Sequence, residues 1–193
     1  DFYSLGSPYN DELLLARKQR PWPANVHIFR DGMWSTIMLG GPASAAQVTG
    51  LAHSANALLS DRLLALPITR PSLPTPDSFD ILISHGSRDN ARIPGRKIRT
   101  LPFADAELAS QGFDYAAIGH YHDQASILDR DGRIIGADAG CPAGRGLDEE
   151  GEKCALIGEI VKETGNTRVT LEKVRLDSRA IRRIDVTCTG ATH

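Results

Sequence analysis

Two short apolar runs in this chain each end in histidine beside glycine, and that repeated ending constrains the fold more than any other feature. The first is Phe79-Asp80-Ile81-Leu82-Ile83-Ser84-His85-Gly86-Ser87, and the second is Asp114-Tyr115-Ala116-Ala117-Ile118-Gly119-His120-Tyr121-His122. Runs of this kind suit strands buried on both faces, the habit of parallel sheets. Between them, residues 102–109 read as a short helix. The whole is then a strand–helix–strand unit with parallel strands and a right-handed crossover. Parallel strands align their C-terminal ends on one rim, and open α/β sheets bind ligands there. His120 and His122 lie two apart, so in extended backbone they face the same side. Imidazole is the commonest neutral ligand for divalent transition metals, which makes His85, His120 and His122 a candidate metal site. A lone His-x-His carries little weight. The strand before it, the glycine at the turn and the second strand-His-Gly give it weight.

The remaining pattern is a mixture of helices and strands. Residues 11–18 read as a helix with acids in the first turn and bases in the last, stopped by Pro21-Trp22-Pro23. Residues 25–30 alternate as a strand, and Asp31-Gly32 turns the chain into a second strand at 34–39. Ser44 is the expected cap of a helix running towards Ala65, with Val48, Leu51, Ala52, Ala55, Leu58, Leu59 and Leu63 at helical spacing. Pro67, Pro71, Pro74 and Pro76 hold the next segment extended. Residues 126–129 and 133–137 flank Asp131-Gly132 as a hairpin, 154–162 pairs with 167–175, and 180–187 supplies a last strand. The second half is therefore antiparallel and β-rich. His27 and His53 read as surface residues of a strand and a helix rather than ligands.

A chain of 193 residues can bury one sizeable core, and a net charge of −2 gives no global drive towards nucleic acid or anionic membrane. Any polyanion contact has to come from a local patch. Arg88, Arg92, Arg96, Lys97 and Arg99 crowd one loop just after His85, with only Asp89 opposing them. A solvated surface and a set of phosphate contacts to nucleic acid are the two readings of that loop, with Arg88, Arg92, Arg96 and Lys97 as its binding candidates. The three cysteines, Cys141, Cys154 and Cys188, are odd in number and lack a Cys-x-x-Cys spacing. That argues against a disulfide framework or cysteine zinc site and for a reducing cytoplasm. No stretch reaches the length of a membrane span.

The order of these pieces resembles the calcineurin-like metallophosphoesterase superfamily, and within it the SbcD-type DNA repair exonucleases. Ser84-His85-Gly86-Ser87, Asp114-Tyr115 and Gly119-His120-Tyr121-His122 carry the resemblance, together with the tail from Ala139-Gly140-Cys141-Pro142 to Gly151-Glu152-Lys153. It is strongest between Phe79 and Ile160. The resemblance implies a layered α/β/β/α sandwich of mixed sheets. It also implies a dinuclear site for two divalent ions, manganese first and zinc or iron as alternatives. His85 and His120 would serve the second ion and His122 the first.

The family motifs Asp-x-His, Gly-Asp and Gly-Asn-His-Asp do not occur in the chain. The expectation is thus that residues 1–193 are the C-terminal part of a catalytic domain, with Asp1 closing the third motif and the N-terminal half missing. Residues 1–177 would belong to that domain, and 178–193 to a last strand and the start of a cap domain. The carboxylate ligands and general acid would lie upstream, leaving no catalytic residue here and the chain by itself inactive. The implied function is a DNA exonuclease in repair, working with an SbcC-like ATPase subunit and as a homodimer. The alternatives are a phosphodiesterase for cyclic nucleotides or other small phosphodiesters, and a catalytically incomplete structural or interaction module. Asp114, Asp123 and Asp138 have no ligand role in the resemblance, although Asp123 could orient an imidazole or be a solvated acid. Cys141 stands where serine is expected and is assigned no role.

Overall fold

The computed structural model describes residues 22–29, 32–41, 45–52, 62–89, 100–144, 146–147, 149–163 and 166–186. Their centre is a six-stranded mixed sheet built from β1 (Ser35–Leu39), β2 (Ala46–Gly50), β3 (Phe79–His85), β4 (Tyr115–Gly119), β5 (Ala125–Leu128) and β6 (Ile134–Asp138). The spatial order is β1-β2-β3-β4-β6-β5. β2, β3, β4 and β6 run parallel, while β1 and β5 close the two edges antiparallel. The register sets His85 opposite Gly119 and Ile118 opposite Asp138, so β3, β4 and β6 end level on one rim.

The strand–helix–strand expectation holds, with α1 (Asp105–Ser110) between β3 and β4. The helix starts three residues later than expected because Phe103 is pulled into the core and pairs in a bridge with Arg88. Glu107 then accepts the Ala104 N–H at 2.8 Å, and Asp105 joins it in the first turn, both favourable at a helix N-terminus. Leu108 from α1, Leu64 from a 3-10 turn (Leu63–Ala65), Ile68 and Phe103 cover one face of the sheet. Beneath them lie Leu82, Ala116, Ile118 and Ile127. The opposite face has less cover among the described residues, and Ile83 there is 44% exposed. β3 and β4 are therefore buried on one face and half-buried on the other.

Both antiparallel pairs of the second half form. β5 and β6 meet around Gly132, which takes φ 79°, a conformation glycine adopts without Cβ strain. β7 (Cys154–Glu163) and β8 (Asn166–Arg175) make a separate two-stranded ribbon. Lys162 of β7 binds Asp114 at 2.8 Å, and Thr167 of β8 donates to the same carboxylate at 2.6 Å. Asp114 also accepts the Asp80 N–H at 2.7 Å, so one acid ties the ribbon to the starts of β3 and β4.

Three expected elements are corrected. Where a helix was expected from Ser44, residues 46–50 are the strand β2, while 53–61 lie outside the described residues. Hydrogen-bonded pairing to β1 on one side and β3 on the other overrides the helical spacing, and β-branched Val48 and Thr49 suit it. Residues 25–29 form no strand. Phe29 instead packs its ring against Gly50, where a Cβ would come within 2.5 Å of it, and His27 stacks edge-on to Phe29. Residues 180–186 make a single bridge, Ile181 to Gly151, in place of a last strand, and Thr187 lies outside the described residues. The expected helix at 11–18 and His53 lie outside them too. Among the described residues no helix is long and apolar enough to cross a membrane.

Candidate metal centre

The level ends of β3 and β4 bring His85 and His120 together. His85 is the last residue of its strand, and the ladder continues one step further through Gly86 N–H to Gly119 O at 3.0 Å. Gly119 leaves room for the ring, since a Cβ there would stand 3.3 Å from His85 Nδ1. His120 then takes φ 135°, a conformation that non-glycine residues rarely adopt. Such a backbone costs on the order of 1–3 kcal/mol and persists only where its surroundings impose it, most often at functional sites. The result is His120 Nδ1 at 3.1 Å from His85 Nε2, with the rings nearly perpendicular. Two nitrogens can share a proton at that distance. They can equally be neighbours around one ion, because ligands at right angles, each roughly 2.1 Å from a metal, stand about 3 Å apart. Burial pushes the His85 pKa below the usual histidine range, and the nearby His122 acts in the same direction. Both effects favour the neutral, ligating form at pH 7.

His122 lies in the loop after β4, and its ring is turned to a second group. Its Nδ1 is paired with Oε1 of Glu149, which is 9% exposed. Nitrogen, thiol and carboxylate ligand atoms from His122, Cys141 and Glu149 all lie within 4.8 Å of one another. The His122 carbonyl accepts from the Cys141 thiol at 3.6 Å and from the Lys153 ammonium at 3.4 Å. Lys153 is buried and also pairs with Asp123 at 3.1 Å. Asp123 reaches Lys153 from solvent as an exposed loop acid, and the carboxylate beside the imidazole is Glu149 instead. Histidine nitrogens with a carboxylate and a thiol within reach form a donor set that fits a divalent transition metal.

Two further groups complete the rim. Asp138 ends β6 opposite Ile118 and is 1% exposed, and its Oδ1 has no hydrogen-bond partner among the described residues. Burial raises its pKa to about 7, with Arg88 opposing the rise and Asp105 adding to it. Arg88 makes a bidentate pair with Asp105 at 2.6 and 2.5 Å and donates to Ser126 O at 3.2 Å. Its guanidinium therefore links the β3 loop, α1 and β5. Arg92, Arg96, Lys97 and Arg99 lie outside the described residues. Sequence reasoning missed Glu149, whose only signal was its place in the acidic tail 148–150, 27 residues from the histidine it meets. It named Asp138 only to set it aside. Comparison of the sequence with protein-family models and with curated proteins finds no match.

Proposed function

We propose that the chain belongs to a metal-dependent phosphodiesterase of the metallophosphoesterase kind, with a DNA end as substrate. The observation that carries this reading is the 3.1 Å approach of His85 and His120 at the C-terminal rim of a parallel sheet. The six-stranded mixed sheet and the adjoining ribbon are compatible with the layered sandwich that the resemblance implies. In this reading His85 and His120 hold one ion, and His122 contributes to a second, manganese being the first candidate. Bound divalent ions supply Lewis-acid polarisation of a phosphoryl oxygen and an activated water. The chain's own part is to hold the imidazoles in register. Gly119 makes space for the ring of His85, and the φ of His120 aims its ring at His85. In this reading Arg92, Arg96 and Lys97 supply the phosphate contacts, while Arg88 is held in its bidentate pair with Asp105, and an SbcC-like ATPase and a second copy of the chain are the proposed partners.

The test is Mn2+-dependent hydrolysis of DNA ends, of a cyclic nucleotide and of bis(4-nitrophenyl) phosphate by the natural full-length polypeptide. His120→Ala should reduce turnover by more than the roughly 10- to 100-fold that loss of an outer-shell partner causes. Unchanged turnover in that variant would overturn the assignment. Preference for the cyclic nucleotide would move the substrate to small phosphodiesters, and metal binding without hydrolysis would leave an interaction module.

A further inference from the structure

On the reading of His122 as a metal ligand, we propose that Glu149 is its positioning residue. It accepts the Nδ1 proton, fixes the tautomer and turns Nε2 towards the ion. A neutral imidazole carries one proton, and the nitrogen that keeps it decides which lone pair can ligate. An ionised carboxylate only accepts, so pairing of Glu149 Oε1 with His122 Nδ1 assigns the proton to Nδ1 and the lone pair to Nε2. Carboxylates hold metal-ligating histidines in this way and make the imidazole a better donor.

The surroundings fit this role. Lys153 and Cys141 both donate to the carbonyl of His122, so its backbone is held while Glu149 holds its ring. The Lys153 ammonium pairs with Asp123, and the Glu149 carboxylate pairs with the imidazole. The competing arrangement has His122, Cys141 and Glu149 ringing one ion directly, as their 4.8 Å spread allows. In that arrangement Cys141 would ligate as a thiolate, whereas here its thiol donates to the His122 carbonyl.

The experiment combines 15N spectra of the metal-free protein, labelled at histidine, with calorimetric Mn2+ binding. The wild type should show His122 protonated at Nδ1. Glu149→Gln, whose amide oxygen can still accept, should keep that tautomer and most of the affinity. Glu149→Ala should lose the tautomer bias and bind Mn2+ about 10- to 100-fold more weakly. The Co2+-loaded protein should show no thiolate-to-cobalt absorption. An Nε2-protonated wild type, full affinity in Glu149→Ala, or a thiolate band would each overturn the inference. Circular dichroism shows whether the alanine variant folds. If it does not, an Nε2-protonated His122 in the wild type is the result that refutes it. A wild type that binds no Mn2+ would refute the metal reading itself, whereas full binding by Glu149→Ala would refute this inference alone.

Discussion

Asp138 is the residue whose environment departs furthest from its solution chemistry. A carboxyl group is favoured as its neutral form when buried, and here the folded pKa of about 7 stands above the usual unfolded value near 3.9. Between those values the native state binds the extra proton, so stability falls as pH rises from about 4 to about 7 and stays low above that. The full penalty is on the order of 4 kcal/mol. Asp138→Asn keeps the shape and removes the charge. Its urea midpoint should vary less between pH 4 and 8 than that of the wild type and should exceed it at pH 8. A parallel pH dependence in the two proteins would refute the burial account. None of this was legible in the sequence, where Asp138 is one acid among several near the histidines. Its burial follows from Ala125 and Ile118 pairing on either side of it.

At the scale of elements, local pattern served where local contacts decide and failed where a neighbour did. The β5–β6 turn at Gly132 and the β7–β8 ribbon are short-range pairings, and alternation with turn residues predicts such pairings. β2 is long-range. Its five residues read as helix until β1 and β3 claim both of its edges. The match between β4 and β6 is equally tight, since a Cβ at Gly136 would stand 2.6 Å from Ala116 O and 3.0 Å from its Cβ. Gly136→Ala should therefore force the two strands apart and cost about 1–3 kcal/mol, the range for overpacking. Chemical denaturation measures this directly. An unchanged midpoint would mean that the strands separate without strain. The same shift would carry Asp138 away from the end of β4, so its pKa should move with it.

Among the described residues, an apolar layer and a few buried polar ties hold sheet, helix and ribbon together. Leu82 is fully buried at the centre of that layer, so Leu82→Ala should cost about 2–5 kcal/mol of unfolding free energy. A loss below 1 kcal/mol in a thermal or urea titration would show that the centre of the core lies elsewhere. The parallel pairing of β6 with β4 was not expected, whereas the sequence by itself determined the strand–helix–strand unit, the two antiparallel hairpins β5–β6 and β7–β8, and the histidines at strand ends. Each of these is written in local periodicity or in a residue fixed at the end of its own strand. Only the tertiary structure decided that His85 and His120 meet, that Glu149 rather than Asp123 stands against His122, and that Asp138 is buried at the end of β6. Those outcomes depend on register between strands and on loops returning across tens of residues, and no local pattern encodes such distances.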